Sequence, residues 1–459
     1  MPWTGHQVRD AMGGVLRSGG EQVCTGVSTD TRTLQSGDLF IALRGEHFDG
    51  HAFIDTALER GSCGCVVEAG IEVTGSLDTR VFVEVADTLT ALGDLAAAYL
   101  RGLDTTVIGV TGSNGKTSTK DMIATVLGAY APVASNYGNF NNRIGLPLSA
   151  LQVQSNHRYA VFEMGMNEPG EIAKLAAIAE PKVALITSIS AAHLEGLGSV
   201  DAIRETKAAL YRALGPDDVA VVNGRDPQVV RAAEGIAART IVVGEIDADV
   251  TVEGIRRIGV GAQEATIRHG DRIMSLRIRG IGQHNIWNAA LAVGVAVALD
   301  LDPLPGIEAL ASHKGPKGRL AWVPILDGPN ILDDTYNANP ESTRAAIRTL
   351  VELCDAHTCI AVLGDMLELG ESADQLHEEI GQFASDVGVD VLLAMGKYAQ
   401  HTVRGFGPGG EVVLDHEAAV ARVLSSVGQG DWVLVKGSRG MRMEQVVTAL
   451  QSAYAHGGR

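Results

Sequence analysis

The stretch Thr105–Leu127, TTVIGVTGSNGKTSTKDMIATVL, constrains this chain more than any other. Val107, Ile108 and Val110 make the β-branched apolar run of a buried strand. Gly112 and Gly115 follow, then Lys116-Thr117-Ser118, then a helical pattern of Met122, Ile123, Val126 and Leu127. A strand that turns on glycines into a helix start gathers backbone N–H groups around an anion, and the helix adds partial positive charge. Lys116 is placed to reach the β- and γ-phosphates of a nucleotide, and Thr117 to hold Mg²⁺. The loop Thr111-Gly112-Ser113-Asn114-Gly115-Lys116-Thr117 departs from the common G-x-x-x-x-G-K-[ST], because Val110 stands where the first glycine belongs.

At 459 residues the chain has the length of about three domains. A net charge of −18 excludes a general binder of nucleic acid or of anionic membranes, while leaving room for local basic pockets. The five cysteines are read as reduced thiols of a cytoplasmic protein, with Cys63 and Cys65 too close together to pair. The first residues carry no apolar run of the signal-peptide kind. The longest apolar stretch, Ala289–Leu299, is too short to span a bilayer and predicts a buried helix.

Residues 1–103 predict a small α/β unit, with strands at Asp38–Leu43 and Cys65–Val67 around a helix bearing Phe53, Ile54 and Leu58. The turn Ser28-Thr29-Asp30-Thr31-Arg32 is either a solvated turn or a grip for a phosphate or a base edge. Helix Thr88–Arg101 leads to a break at Gly102. Strands are then expected at 105–110, 159–163, 182–187, 218–222 and 239–243, alternating with helices, which predicts a parallel sheet. Val250–Arg279 reads as a β excursion at the domain edge. From Gly315 a second alternating unit is expected, with strands at 319–325, 330–334, 358–363, 390–395 and 431–435.

Ligands of such sheets gather at the carboxyl ends of strands. Glu163 ends one strand there, placed to ligate Mg²⁺ beside the phosphate loop. His193 follows another and is either structural or a ligand. Lys207 lies with Ile203 and Leu210 on the apolar stripe of a helix capped by Ser199. A lysine there either snorkels or is chemically altered, for example carbamylated by CO₂ into an anionic metal ligand. The amides of His284-Asn285-Ile286-Trp287-Asn288 either cap the next helix or read an adenine edge. Arg319, Asp334, the loop Tyr336–Pro340, Lys436 and Arg439 are the polar points of the last unit.

In this order the motifs resemble the Mur ligase family, the ATP-dependent amide-bond ligases of bacterial cell-wall synthesis. TGSNGKT matches its cradle, FEMGMNEPGEI its strand-end acid Glu163, ITSISAAHLEGLGSV its histidine segment with His193, and ETKAAL its modified Lys207. His284-Asn285-x-x-Asn288, Gly318-Arg319 and Asp334 match its remaining nucleotide elements. The resemblance implies a three-domain α/β fold: a uridine-nucleotide domain at 1–103, a central P-loop domain at 104–314, and a Rossmann-like domain at 315–459. It implies ATP contacts at Thr111, Gly112, Ser113, Asn114, Gly115, Lys116, Thr117, Ser118, Asn288, Arg319 and Asp334. It implies Mg²⁺ held by Thr117, Glu163, His193 and carbamylated Lys207, with Lys116, Glu163, His193 and Lys207 catalytic. Ser28, Asp30, Arg32 and Asn142 are implied substrate contacts, and Lys436 and Arg439 are candidates for a carboxylate of the incoming group.

NYGNFNNRIGLPLSAL, ILDDTYNANPES and VLGDMLELGE are similar to the branch that joins D-alanyl-D-alanine to UDP-N-acetylmuramoyl-tripeptide through an acyl phosphate. The implied protein is a cytoplasmic monomer that binds neither nucleic acid nor membrane. A folylpolyglutamate synthase and a non-ligating ATP-binding scaffold are the alternatives.

Overall fold

The computed structural model describes residues 2–45, 48–71, 79–191 and 197–455. Three larger sheets follow one another along the chain. The first has strands β1 (Val15–Ser18), β2 (Gly26–Ser28), β3 (Asp38–Ile41), β4 (Gly64–Glu68) and β5 (Val81–Val85), in the order β1-β5-β4-β3-β2. Helix α1 (Gly5–Met12) precedes it, α2 (Ile54–Glu59) links β3 to β4, and α3 (Thr88–Arg101) leaves it. Ile54 and Leu58 are buried as the sequence predicts, whereas Phe53 lies outside α2 and is exposed.

The central sheet holds nine strands. They are β6 (Thr106–Thr111), β7 (Val133–Ser135), β8 (Tyr159–Glu163), β9 (Val183–Ile186), β10 (Val219–Asn223), β11 (Arg239–Gly244), β12 (Val250–Ile258), β13 (Ala262–His269) and β14 (Arg272–Arg279). Their order is β14-β13-β12-β11-β10-β9-β6-β8-β7. Strand β6 pairs in parallel with both β8 and β9, so the chain leaves it first to one side and then to the other. Such a switch opens a crevice at the carboxyl ends of the strands. Side chains alternate across β6. Ile108 and Val110 pack in one core with α4 (Lys116–Gly128), and Val107 packs in the other with Phe162 of β8. Both faces are covered, which is why these strands read as unbroken apolar runs.

The β excursion expected at 250–279 forms as three strands at the edge of this sheet, which they extend. Val243 and Gly244 of β11 pair in parallel with Val250 and Thr251, and β12–β14 then run antiparallel. Val252, Ile267 and Leu276 share a core with the helix His284–Ala298, which is buried from Ile286 onward. Val200–Arg212 forms the predicted lysine-bearing helix, capped by Ser199, whose side chain accepts from Ala202 N.

The third sheet takes the order β15 (Ala321–Pro324), β16 (Asn330–Asp334), β20 (Trp432–Lys436), β17 (Cys359–Gly364), β18 (Val391–Met395), β19 (Gly410–Val412). Only its edge pair, β15 with β16, is antiparallel.

The cysteines correct the reduced-thiol reading. Cys24 pairs with Cys63 and Cys354 with Cys359, at Cα separations of 5.6 and 5.8 Å. The partner of Cys63 comes from 39 residues away, a proximity that only the folded sheet creates. Cys65 is a buried thiol whose pKa burial pushes up to about 12. No helix among the described residues is long and apolar enough to cross a membrane.

Candidate active site

The glycine loop sits at the switch point, between the end of β6 and the start of α4. Gly112 has φ +154°, and a Cβ there would lie 1.9 Å from Thr187 Oγ1. Gly115 has φ +78°, and a Cβ there would lie 2.8 Å from Asn288 Oδ1. Both positions therefore demand glycine. Asn288, buried one turn into its helix, is thus set against the last glycine of the cradle. The residues after β9 brace the loop. Ser113 N donates to Ser188 O (2.8 Å), Asn114 N to Ser188 Oγ (3.0 Å), and Thr187 Oγ1 to Asn114 O (2.5 Å). Thr111 Oγ1 ties the strand end to Met164 O. Helix α4 begins with Gly115 as its cap residue and no side-chain cap, so its first-turn N–H groups face the cradle.

Lys116 Nζ folds back to donate to Gly112 O at 2.8 Å. Desolvation lowers its pKa, Glu163 opposes this, and the Arg319 charge adds to it. Thr117 Oγ1 donates to Glu163 Oε2 at 2.7 Å, and Arg319 NH2 donates to Thr117 Oγ1 at 3.0 Å. The Arg319 guanidinium lies 4.1 Å over the Tyr336 ring, which fixes its approach from the third sheet's side. Thr117 and Glu163 present a hydroxyl and a buried carboxylate, the hard oxygen donors that suit Mg²⁺. The described residues contain no cluster of three or more His, Cys, Asp or Glu that could cage a metal. His193 lies outside the described residues.

Lys207 is 1 % exposed. Burial holds its pKa well below the usual lysine range, and Lys116 pushes it further down as a like charge. The snorkelling alternative is thereby removed, and the amine is held toward its neutral, nucleophilic form.

Two residues beyond the predicted set reach the cradle from the third unit. Asn339 Nδ2 donates to Asn114 Oδ1 (2.7 Å), and Asn114 Nδ2 donates to Glu341 Oε2 (2.6 Å). Both sit at the start of the helix Pro340–Cys354, which Asn339 also caps. Asp334 is braced within its own unit. It accepts from Lys436 Nζ at 2.6 Å and from Leu320 N at 3.0 Å. Lys436 also donates to Asn337 O, so it is spent as an internal brace, and Arg439 pairs with Glu444 at the surface.

In the first unit, Arg32 grips Asp30 through three side-chain contacts and holds its carboxyl down to about 2. Ser28 Oγ closes the same turn on Asp30 O. Asn142 Oδ1 accepts from Ile144 N and Gly145 N, shaping the start of the helix Gly145–Ala150. Its neighbour Asn141 donates to Glu163 Oε1 at 2.7 Å and so reaches the site itself. The amide-rich run NYGNFNN carried a signal for Asn141; Ser188, Asn339 and Glu341 gave none that spacing could separate from ordinary loops.

Three family profiles match this chain: Mur ligase family, catalytic domain, over residues 23–100; Mur ligase middle domain over 110–296; and Mur ligase, glutamate ligase domain, over 318–439. The chain is 36% identical to the UDP-N-acetylmuramoyl-tripeptide–D-alanyl-D-alanine ligase of Bacillus subtilis (strain 168), covering 94% of each sequence. Its fold is similar to a crystal structure of MurF from Acinetobacter baumannii, with TM-score 0.90, 31% identity and coverage of 98% and 99% of the two chains. It is also similar to MurF ligase from Thermotoga maritima in complex with ADP, with TM-score 0.85, 29% identity and coverage of 94% and 98%.

Proposed function

The chain belongs to the Mur ligase family, and on that premise we propose that it joins D-alanyl-D-alanine to UDP-N-acetylmuramoyl-tripeptide, consuming ATP and releasing ADP and phosphate. Spans 1–103, 104–314 and 315–459 act as uridine-nucleotide, ATP and amino-component domains; each holds one of the three larger sheets. The reaction belongs in the cytoplasm and needs one copy of the chain.

The observation that carries this reading is the phosphate cradle in which Thr117 donates to the buried Glu163 carboxylate, with a buried Lys207 within the field of Lys116. A ligase of this kind must bring the γ-phosphate of ATP against a carboxylate, two anions that repel. Lys116 and the first-turn N–H groups of α4 draw the phosphates into line. Thr117 and Glu163 would hold Mg²⁺, and His193 with a carbamylated Lys207 would support a second ion. Bound there, Mg²⁺ neutralises the phosphate charge and orients it. Ser113, Asn114, Ser118 and Asn288 shape the nucleotide bed, with Thr111 and Gly112 anchoring its floor. Arg319 and Asp334 bring in the third unit, whose docking through Asn339 and Glu341 keeps water from the acyl phosphate. The tripeptide carboxylate takes the γ-phosphoryl group as ADP leaves; the dipeptide amine then attacks the acyl carbon, the bond to phosphate breaks, and the amine gives up a proton. Ser28, Asp30, Arg32 and Asn142 hold the uridine-linked substrate.

Incubation with ATP and both substrates should give ADP in step with a mass gain of one dipeptide residue on the nucleotide. ADP formation without that gain overturns the reading in favour of a scaffold. Turnover with a single amino acid overturns the choice of branch.

A further inference from the structure

The loop NYGNFNN, between β7 and the helix Gly145–Ala150, makes more bonds to Glu163 than the cradle itself does. Asn136 is 1 % exposed and pairs with both backbone edges of that residue. Glu163 N donates to Asn136 Oδ1 at 2.9 Å, and Asn136 Nδ2 donates to Glu163 O at 3.0 Å. The same Nδ2 donates to Phe140 O at 2.9 Å, closing the loop. Only an amide offers an acceptor and two donors in this arrangement. The carbonyl of Asn136 in turn accepts from Lys120 Nζ at 2.8 Å.

Lys120 stands one helical turn after Lys116 and is 2 % exposed. A buried ammonium is costly, and a leucine would fill an ordinary core position at less cost. Its other neighbour is Asp121 Oδ1 at 3.0 Å. Lys120 therefore links α4, which carries Thr117, to the loop that fixes Glu163.

We propose that Lys120 and Asn136 are positioning residues for Glu163, setting its carboxylate against Thr117 so that the pair accepts the metal that accompanies the nucleotide. The inference rests on the proposed function and adds a chain running Lys120, Asn136, Glu163 and Thr117. Asn141 completes it by holding Glu163 Oε1 while Thr117 holds Oε2.

The test is calorimetric titration of ADP into the whole protein with and without Mg²⁺. It compares the parent with Lys120→Met, Lys120→Arg, Asn136→Asp and the exposed-loop control Asn139→Ala. In Lys120→Met and Asn136→Asp, ADP affinity without Mg²⁺ stays within about twofold of the parent, while the gain conferred by Mg²⁺ falls about tenfold. The Mg²⁺ needed for half-maximal ADP formation rises about tenfold, with the KM for UDP-N-acetylmuramoyl-tripeptide unchanged. Lys120→Arg, which keeps a donor for Asn136 O, recovers part of the loss, and Asn139→Ala shows none. Should Asn136→Asp not fold, the two Lys120 variants read the same link. A lowered melting temperature with an undiminished Mg²⁺ gain overturns the inference, as does equal loss with and without Mg²⁺. A parent protein with no Mg²⁺-dependent gain overturns the proposed function itself.

Discussion

Lys207 in the central unit and Lys436 in the third are buried almost equally, at 1 % and 2 % exposed. Their surroundings are opposite. Lys436 lies 2.6 Å from the Asp334 carboxylate and also donates to a backbone carbonyl. For Lys207, desolvation holds the pKa well below the ordinary range, and among the described residues the Lys116 charge lowers it further. Burial alone therefore does not mark a reactive lysine. A buried cation with a carboxylate is a brace. A buried amine whose pKa desolvation and a like charge both lower is shifted toward its neutral form, the form that can act as a nucleophile.

The comparison breaks or holds on experiment. Lys207→Ala should lower kcat on the order of a thousandfold while leaving the fold intact. Formate or acetate should restore part of it, and unchanged turnover would reduce Lys207 to a structural residue. Lys436→Met should instead cost about 3–5 kcal/mol of stability by orphaning Asp334, read as a lowered denaturation midpoint. Pairing it with Asp334→Leu should recover most of that loss, and a full-sized loss in the double variant would contradict the brace.

A third test uses pH. Between the lowered folded pKa of Lys207 and the ordinary lysine range, the unfolded chain binds the extra proton, so this residue makes stability rise with pH and fall as pH drops. Lys207→Met should remove that slope, and its stability advantage over the parent should be largest at low pH. A parallel pair of pH–stability curves would show that the amine is not perturbed. The smallest effect belongs to the exposed pair Arg32–Asp30, at 85% and 36% side-chain exposure. Asp30→Asn should leave the melting temperature in place and raise only the KM for the uridine-linked substrate.

Much of the architecture was legible because the inner strands of the second and third sheets are largely buried. Tyr159–Glu163 and Asn330–Asp334 come out at the predicted bounds, and Thr88–Arg101 does so as a helix between Asp87 and Gly102. For β12–β14 the strands and their place at the edge were readable, but their pairing with β11 was not, since alternation shows a strand but not its neighbour. The site divides in the same way. Lys116, Thr117 and Glu163 were readable from local motifs, and the structure brings them together. Asn339 and Glu341 were not, because their partner Asn114 is 225 and 227 residues away. Cys24 and Cys63 escaped for the same reason: only the fold closes that distance. Asp334 was implied as a nucleotide contact by the family resemblance, and its bond from Lys436, 102 residues away, was invisible for the same reason.

Arg319 reaches Thr117 Oγ1 at 3.0 Å from the far side of the cleft, so a guanidinium tethered to the third unit stands at that hydroxyl. Were the proposed metal to bind there, loading would be an ion exchange: one positive charge would enter as another, tied to the third unit, gave way.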